Sequence, residues 1–175
     1  MVSIAPGISQ EPFPLQVFWV GIGCKRGTPK RLIEQAMRSI FEVHRLDESA
    51  IAGVATIDTK VNEAGLIEFC CDRSLPLFFY AAERLRSVVV PHASSAIEEA
   101  IGTPSVAEAA ALLACWEAGG GGELTAETQR RGESYLKQFP TPYTLHPIPV
   151  LHVPKQCYRS AETRGAVTIA VVLEG

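Results

Sequence analysis

Asp58, Lys60 and Glu63 lie close together, just past the uncharged run from Ala50 to Ile57. An acid beside an ammonium suits hydrolytic chemistry: Asp58 would activate water and Lys60 would hold a departing carboxylate. Glu63 is a weaker candidate of the same kind. A solvated ion pair, or an aspartate capping the next turn, is the plainer alternative. The second reactive stretch is Val17-Phe-Trp-Val-Gly-Ile-Gly-Cys-Lys-Arg-Gly-Thr-Pro-Lys-Arg31. Gly21, Gly23 and Gly27 allow a sharp turn and close approach of another group. Thr28 reads as a helix cap, and Pro29 suits the first helical position. Free amides, the positive end of a helix dipole and the cations Lys25, Arg26, Lys30 and Arg31 would make this turn an anion-receiving site. A tight turn needed only for packing is the competing reading. The glycines do not follow GxGxxG spacing, which argues against a dinucleotide.

Thr103-Pro104 repeats the Thr-Pro helix start, and Ser105 adds a hydroxyl near the amides. Thr56 lies at the carboxyl end of the Ala50–Ile57 run and should face the same crevice. Cys24 sits inside the glycine turn, where amides and Lys25 would lower its pKa and permit a covalent role. Burial as a small apolar residue competes with that role. Cys70, Cys71 and Cys115 fall on expected helices and read as core. His146, His152 and Cys157 are too irregularly spaced for a metal site, and no metal or other cofactor is expected. His92 follows Val90-Pro91 at a strand-end position or merely helps a turn.

The elements that must position these groups alternate. Val17–Val20 is a short buried strand, and Leu32, Ile33, Ala36, Met37, Ile40 and Phe41 mark a helix over about 29–44. Ala50–Ile57 is a strand buried on both faces. Residues 64–72 form a short helix, Leu75–Tyr80 a strand, 81–86 a helical turn and 87–90 an extended segment. Ser94 or Ser95 would cap a helix through Ile101, and an alanine-rich helix follows Thr103-Pro104. Gly119–Gly122 breaks the chain. Residues 123–139 read as a polar insertion and 140–149 as proline-rich loop. Val150–Val153 and Ala166–Leu173 are the last strands. This order predicts an α/β fold, a three-layer α/β/α arrangement on a mixed, mostly parallel sheet. In such sheets ligands bind beyond the carboxyl ends of the strands, which would bring the glycine turn and residues 56–60 together.

At 175 residues, 47% of them hydrophobic, the chain suits one domain over 16–175, with an insertion at about 116–154 and a flexible arm over 1–15. A net charge of -3 argues against a nucleic-acid partner. No run is apolar enough to span a membrane, and no membrane partner is expected. Five cysteines without a CxxC arrangement point to reduced thiols and a cytoplasmic protein.

Four blocks carry a resemblance: Gly21-Ile-Gly-Cys-Lys-Arg-Gly-Thr28; Ala55-Thr-Ile-Asp-Thr-Lys60 with Glu63 and Gly65; Gly102-Thr-Pro-Ser-Val-Ala-Glu-Ala-Ala110; and Gly165-Ala-Val-Thr-Ile-Ala170. In this order they resemble the C-terminal domain of the CbiG/CobE cobalamin-biosynthesis family, from about 17 to 115 and again from about 155. The resemblance implies a three-layer α/β domain acting on corrin-ring intermediates. Full-length CbiG-type proteins open the δ-lactone of cobalt-precorrin-5A and release acetaldehyde. This chain starts just before the C-terminal domain, as the stand-alone CobE-type proteins of the aerobic branch do. The expectation is therefore a corrinoid-binding domain that assists lactone opening. The alternatives are a carrier of a corrin intermediate, or a subunit docking onto a separate hydrolase or other cobalamin-biosynthesis enzyme. A corrin precursor is an apolar macrocycle ringed by carboxylates, so it calls for hydroxyls, helix N-termini and a few cations around an apolar floor.

Overall fold

The structure, a computed structural model, describes residues 16–91, 105–121 and 149–174. The expected arm, the Ser94/Ser95 helix, His92, Thr103-Pro104, His146 and the middle of the 116–154 insertion lie outside these residues.

Strand β1 (Phe18–Cys24) alternates its side chains between two cores, as the two-residue period of a strand requires. Phe18, Val20 and Ile22 join the helix α1 (Lys30–Val43), whose buried stripe is Leu32, Ile33, Ala36, Met37, Ile40 and Phe41. Helix α2 (Ala64–Asp72) adds Leu66, Phe69 and Cys70 to that core. Trp19 faces the opposite core, with Ala55 and Ile57 of strand β2 (Ile51–Ile57) and Tyr80 of strand β3 (Leu77–Tyr80). Beyond β3, helix α3 (Ala82–Arg86) contributes Leu85. Helix α4 (Val106–Ala118) covers this second face and is buried from Val106 through Cys115. Strands β4 (Val150–Tyr158) and β5 (Val167–Leu173) complete the sheet.

The strand order is β3-β2-β1-β5-β4. The β1–β2 and β2–β3 ladders are parallel, whereas β1–β5 and β4–β5 are antiparallel. Every strand but β5 therefore points the same way, and the sheet is mixed as expected. Its ladders divide evenly, however, because β4 and β5 are joined by residues 159–166, too few for a crossover to a parallel neighbour. The layering is α/β/α.

Three local expectations are corrected. Thr28 does not cap α1: its hydroxyl donates to the Lys25 carbonyl at 2.7 Å, and Pro29 occupies the cap position. Residues 87–90 are not extended throughout: Ser87 has helical backbone angles, and the Val88 amide turns back to donate to Leu85 O at 3.3 Å. Finally, β4 continues past Pro154, because it is the edge strand and its register shifts around that proline.

Candidate functional site

A cavity of about 310 Å³ opens where the carboxyl ends of β1 and β2 meet the first turn of α4. Gly23, Cys24 and Lys25 come from β1 and its turn; Thr56, Ile57 and Lys60 come from β2 and the turn after it. Ser105, Val106 and Ala107 form the helix side, and Lys155 of β4, Ala166 just before β5 and Thr168 of β5 close the cavity. This is the sheet edge at which an open α/β fold leaves a crevice.

The helix can lie so close because of Gly21. A Cβ placed there would stand 1.7 Å from the Ala107 carbonyl oxygen. Gly21 thus seats α4 rather than lining the cavity. Thr56 is fully buried and donates its hydroxyl to Ile22 O at 2.7 Å, pinning β2 to β1 at the cavity floor.

The glycine turn does receive an anion, and it is the protein's own. The Gly27 amide donates to Glu63 Oε1 at 2.5 Å, and Lys60 Nζ lies 3.5 Å from Glu63 Oε2. Gly27 has φ +74°, a conformation that favours glycine. Glu63 is buried, so its carboxylate ties the β1 turn to the turn after β2. Gly65 then packs under α1, where a Cβ would meet Thr28 O at 2.2 Å.

Lys60 therefore turns to Glu63 and not to Asp58. Asp58 opens a 3-10 turn, is exposed and does not line the cavity. Arg26 is exposed beside the turn, and Thr28 is buried beneath it. Of the groups singled out in the sequence, Gly23, Cys24, Lys25, Thr56, Lys60 and Ser105 converge on the cavity. Gly21, Arg26, Gly27, Thr28, Asp58 and Glu63 support or flank it, and Thr103 falls outside the described residues.

Cys24 is not an activated thiol. Burial pushes its pKa above the ordinary thiol value, and the nearby Glu63 carboxylate works in the same direction. Lys60 and the Thr28 hydroxyl oppose the rise without cancelling it. Cys71 is exposed on the outer side of α2, correcting its expected place in the core, whereas Cys70 and Cys115 are buried. His152 lies in β4 with its ring 6.0 Å from that of Phe18, and no group of three potential metal ligands forms among the described residues.

Lys155 is the participant that sequence reasoning missed. Ending the last-but-one strand at Val153, as the following proline suggests, leaves Lys155 outside every element. The signal was its position: a lysine next to a strand that must pack against an uncharged one.

The lining is mostly apolar and includes three lysines, of which Lys60 is paired with Glu63, and, among the described residues, no carboxylate. Such a cavity can hold an anion and grip an apolar stem against Ile57, Val106 and Ala166. A second hollow, between α1 and Tyr158, is lined by both signs of charge, including Arg31, Glu34, Arg38 and Glu42. It has no comparable preference for an anion.

The family model described as "Cobalamin synthesis G C-terminus" matches residues 18–172. The chain is 31% identical over 111 residues to a cobalt-precorrin-5A hydrolase of Salmonella typhimurium, covering 63% of this chain and 30% of that protein. A cobalt-precorrin-5A hydrolase of Priestia megaterium is 26% identical over 98 residues, covering 56% of this chain and 26% of that protein. The chain thus spans less than a third of the length of these curated relatives. Among solved structures, CobE from the cobalamin biosynthetic pathway superposes with a TM-score of 0.64 at 23% identity, covering 93% of this chain and 96% of CobE. The cobalamin biosynthesis protein chiG of Agrobacterium tumefaciens gives 0.53 at 25% identity, covering 89% and 97%. The likeness to CobE extends the agreement to the fold.

Proposed function

Because the chain belongs to the cobalamin synthesis G C-terminus family, we propose that it binds a carboxylate-rich corrinoid intermediate at the cavity between β1, β2 and α4. The observation that carries this reading is the lining: Lys25, Lys60 and Lys155 around apolar walls, with no acid among the described lining residues. Ammonium groups recognise carboxylates by charge-assisted hydrogen bonds, which strengthen away from water. The cavity is too small to swallow a corrin macrocycle. It receives carboxylate arms while the ring rests across the mouth.

The same observation separates two roles for the bound domain. Assisting the opening of the cobalt-precorrin-5A lactone, with acetaldehyde release, requires a base at the ligand, and Asp58 stands outside the lining. Holding and passing on an intermediate requires only the cations and the apolar walls, so the carrier role is favoured for these residues alone. In a longer hydrolase, or beside a separate partner, the base would come from elsewhere.

Spectral titration with a hydrogenobyrinic-acid-type corrinoid tests the binding. One-to-one saturation is expected, weakened at least tenfold in Lys25→Ala/Lys60→Ala and retained in Arg26→Ala. Incubation with cobalt-precorrin-5A separates the roles: stoichiometric binding without acetaldehyde supports the carrier. Acetaldehyde release by the purified chain, abolished in Asp58→Asn, supports the hydrolase. Activity that appears only on mixing with another cobalamin-biosynthesis protein supports a docking subunit.

A further inference from the structure

Among the residues lining the cavity, two buried polar atoms have no hydrogen-bond partner among the described residues: Ser105 Oγ beside α4 and Lys155 Nζ of β4. Both residues line the cavity. Ser105 is completely buried, and although it precedes α4 its side chain makes no capping bond to the helix. Burying an unpaired hydroxyl and an unpaired ammonium is unfavourable, so folded chains seldom keep such groups without a use. The Lys155 backbone is fixed, since its amide donates to the buried carboxylate of Glu108 at 3.0 Å. The first backbone bond of α4 runs from Ala109 N–H to Ser105 O at 3.1 Å, so the amides of Val106 and Ala107 precede the helical ladder. The positive end of the helix dipole lies at the same place.

We propose that this corner is a subsite for one carboxylate arm, with Lys155 Nζ and Ser105 Oγ as its donors and the α4 amides behind them. An ammonium offers three donors and a hydroxyl one, which matches the acceptor capacity of two carboxylate oxygens. Val106, Ala107 and Ile57 give the methylene stem of an acetate or propionate arm an apolar channel. Lys25, on the strand side, remains available for a second arm, whereas Lys60 is already paired with Glu63. The identity of the molecule that owns the arm rests on the corrinoid reading above; the carboxylate subsite itself does not.

The test follows propionate and the corrinoid separately. Nitrogen-15-labelled protein is titrated with sodium propionate against matched sodium chloride, and the same variants are titrated with a hydrogenobyrinic-acid-type corrinoid. Propionate should shift the Val106, Ala107 and Lys155 amides saturably, and Lys155→Met and Ser105→Ala should abolish or weaken that response. Corrinoid affinity should fall at least tenfold in Lys155→Met. Removing an unpaired buried charge should also raise the Tm of the ligand-free protein, by about 2–4 °C for each kcal/mol recovered. If Lys155→Met fails to fold, Ser105→Ala, which leaves the charge in place, carries the test. Corrinoid binding unchanged in both variants, or propionate shifts absent from α4, overturns the subsite. Propionate held at Lys155 without corrinoid binding sustains the subsite and overturns the corrinoid reading instead.

Discussion

The backbone amide of Lys155 donates to Glu108 Oε1 at 3.0 Å, joining the edge strand β4 to the helix that packs across β1 in the middle of the sheet. Glu108 is wholly buried in the first turn of α4, and a buried acid is otherwise a costly choice. Its use is to hold the strand that brings Lys155 to the cavity. Glu108→Ala should cost about 2–4 kcal/mol of stability, through a lost buried hydrogen bond and a cavity. Glu108→Gln keeps an acceptor and should cost less. Urea denaturation of the two variants checks the order.

The close seat of α4 makes Gly21 intolerant of any side chain. With Ala107 O at 1.7 Å from the position of a new Cβ, the obstacle is backbone and cannot swing away. Gly21→Ala should destabilise by about 3 kcal/mol and open the cavity at its helix side. A control at Gly23, where the nearest atom is the Thr168 Cβ at 3.7 Å, should fold normally. Thermal melts of Gly21→Ala and Gly23→Ala compare them directly.

Glu63 serves both turns at once. Truncation in Glu63→Ala leaves the Gly27 amide without its carboxylate and Lys60 without its 3.5 Å partner. The expected loss is about 1–3 kcal/mol. Glu63→Gln should recover much of it through the retained carbonyl acceptor. If Glu63 were instead a group of the reaction, the two variants would lose function equally while the stability of Glu63→Gln stayed near that of the parent.

The thiols provide a pH signature. Burial pushes the Cys70 and Cys115 thiols up from the ordinary thiol range to about 12. Above pH 9 the unfolded chain releases these protons while the folded chain keeps them, so the unfolded state binds fewer protons and stability falls as pH rises. The contribution is complete below pH 9 and lost by about pH 12. Replacing both cysteines with alanine should flatten this alkaline limb of the pH–stability profile. At pH 8, iodoacetamide should label exposed Cys71 and Cys157 first and Cys24 slowly, because the Cys24 thiol is held protonated.

Much of this arrangement was legible in the residues. The helical spacing from Leu32 to Phe41 and the uncharged run through Ile57 place α1 and β2 closely, since periodicity reports directly which face is buried. The alanine-rich stretch foretells a helix in close contact, and Gly21 supplies the matching gap. What the residues concealed were partners distant in sequence. Gly27 and Glu63 are 36 positions apart, so an anion-receiving turn could not be told from one already filled by the chain's own carboxylate. Asp58 and Lys60 share a turn, yet a 3-10 turn sends one outward and the other to the cavity. Lys155 escaped because proline normally ends a strand, and only the edge position of β4 lets the strand continue.

The most direct test is to locate the corrinoid on the protein. Amide chemical shifts are recorded on adding one equivalent of a hydrogenobyrinic-acid-type corrinoid to the labelled chain. The largest changes should fall on Gly23, Lys25, Lys60, Ala107 and Lys155 together. Changes gathered instead along α1 and Tyr158, at the hollow lined by both signs of charge, would contradict the account.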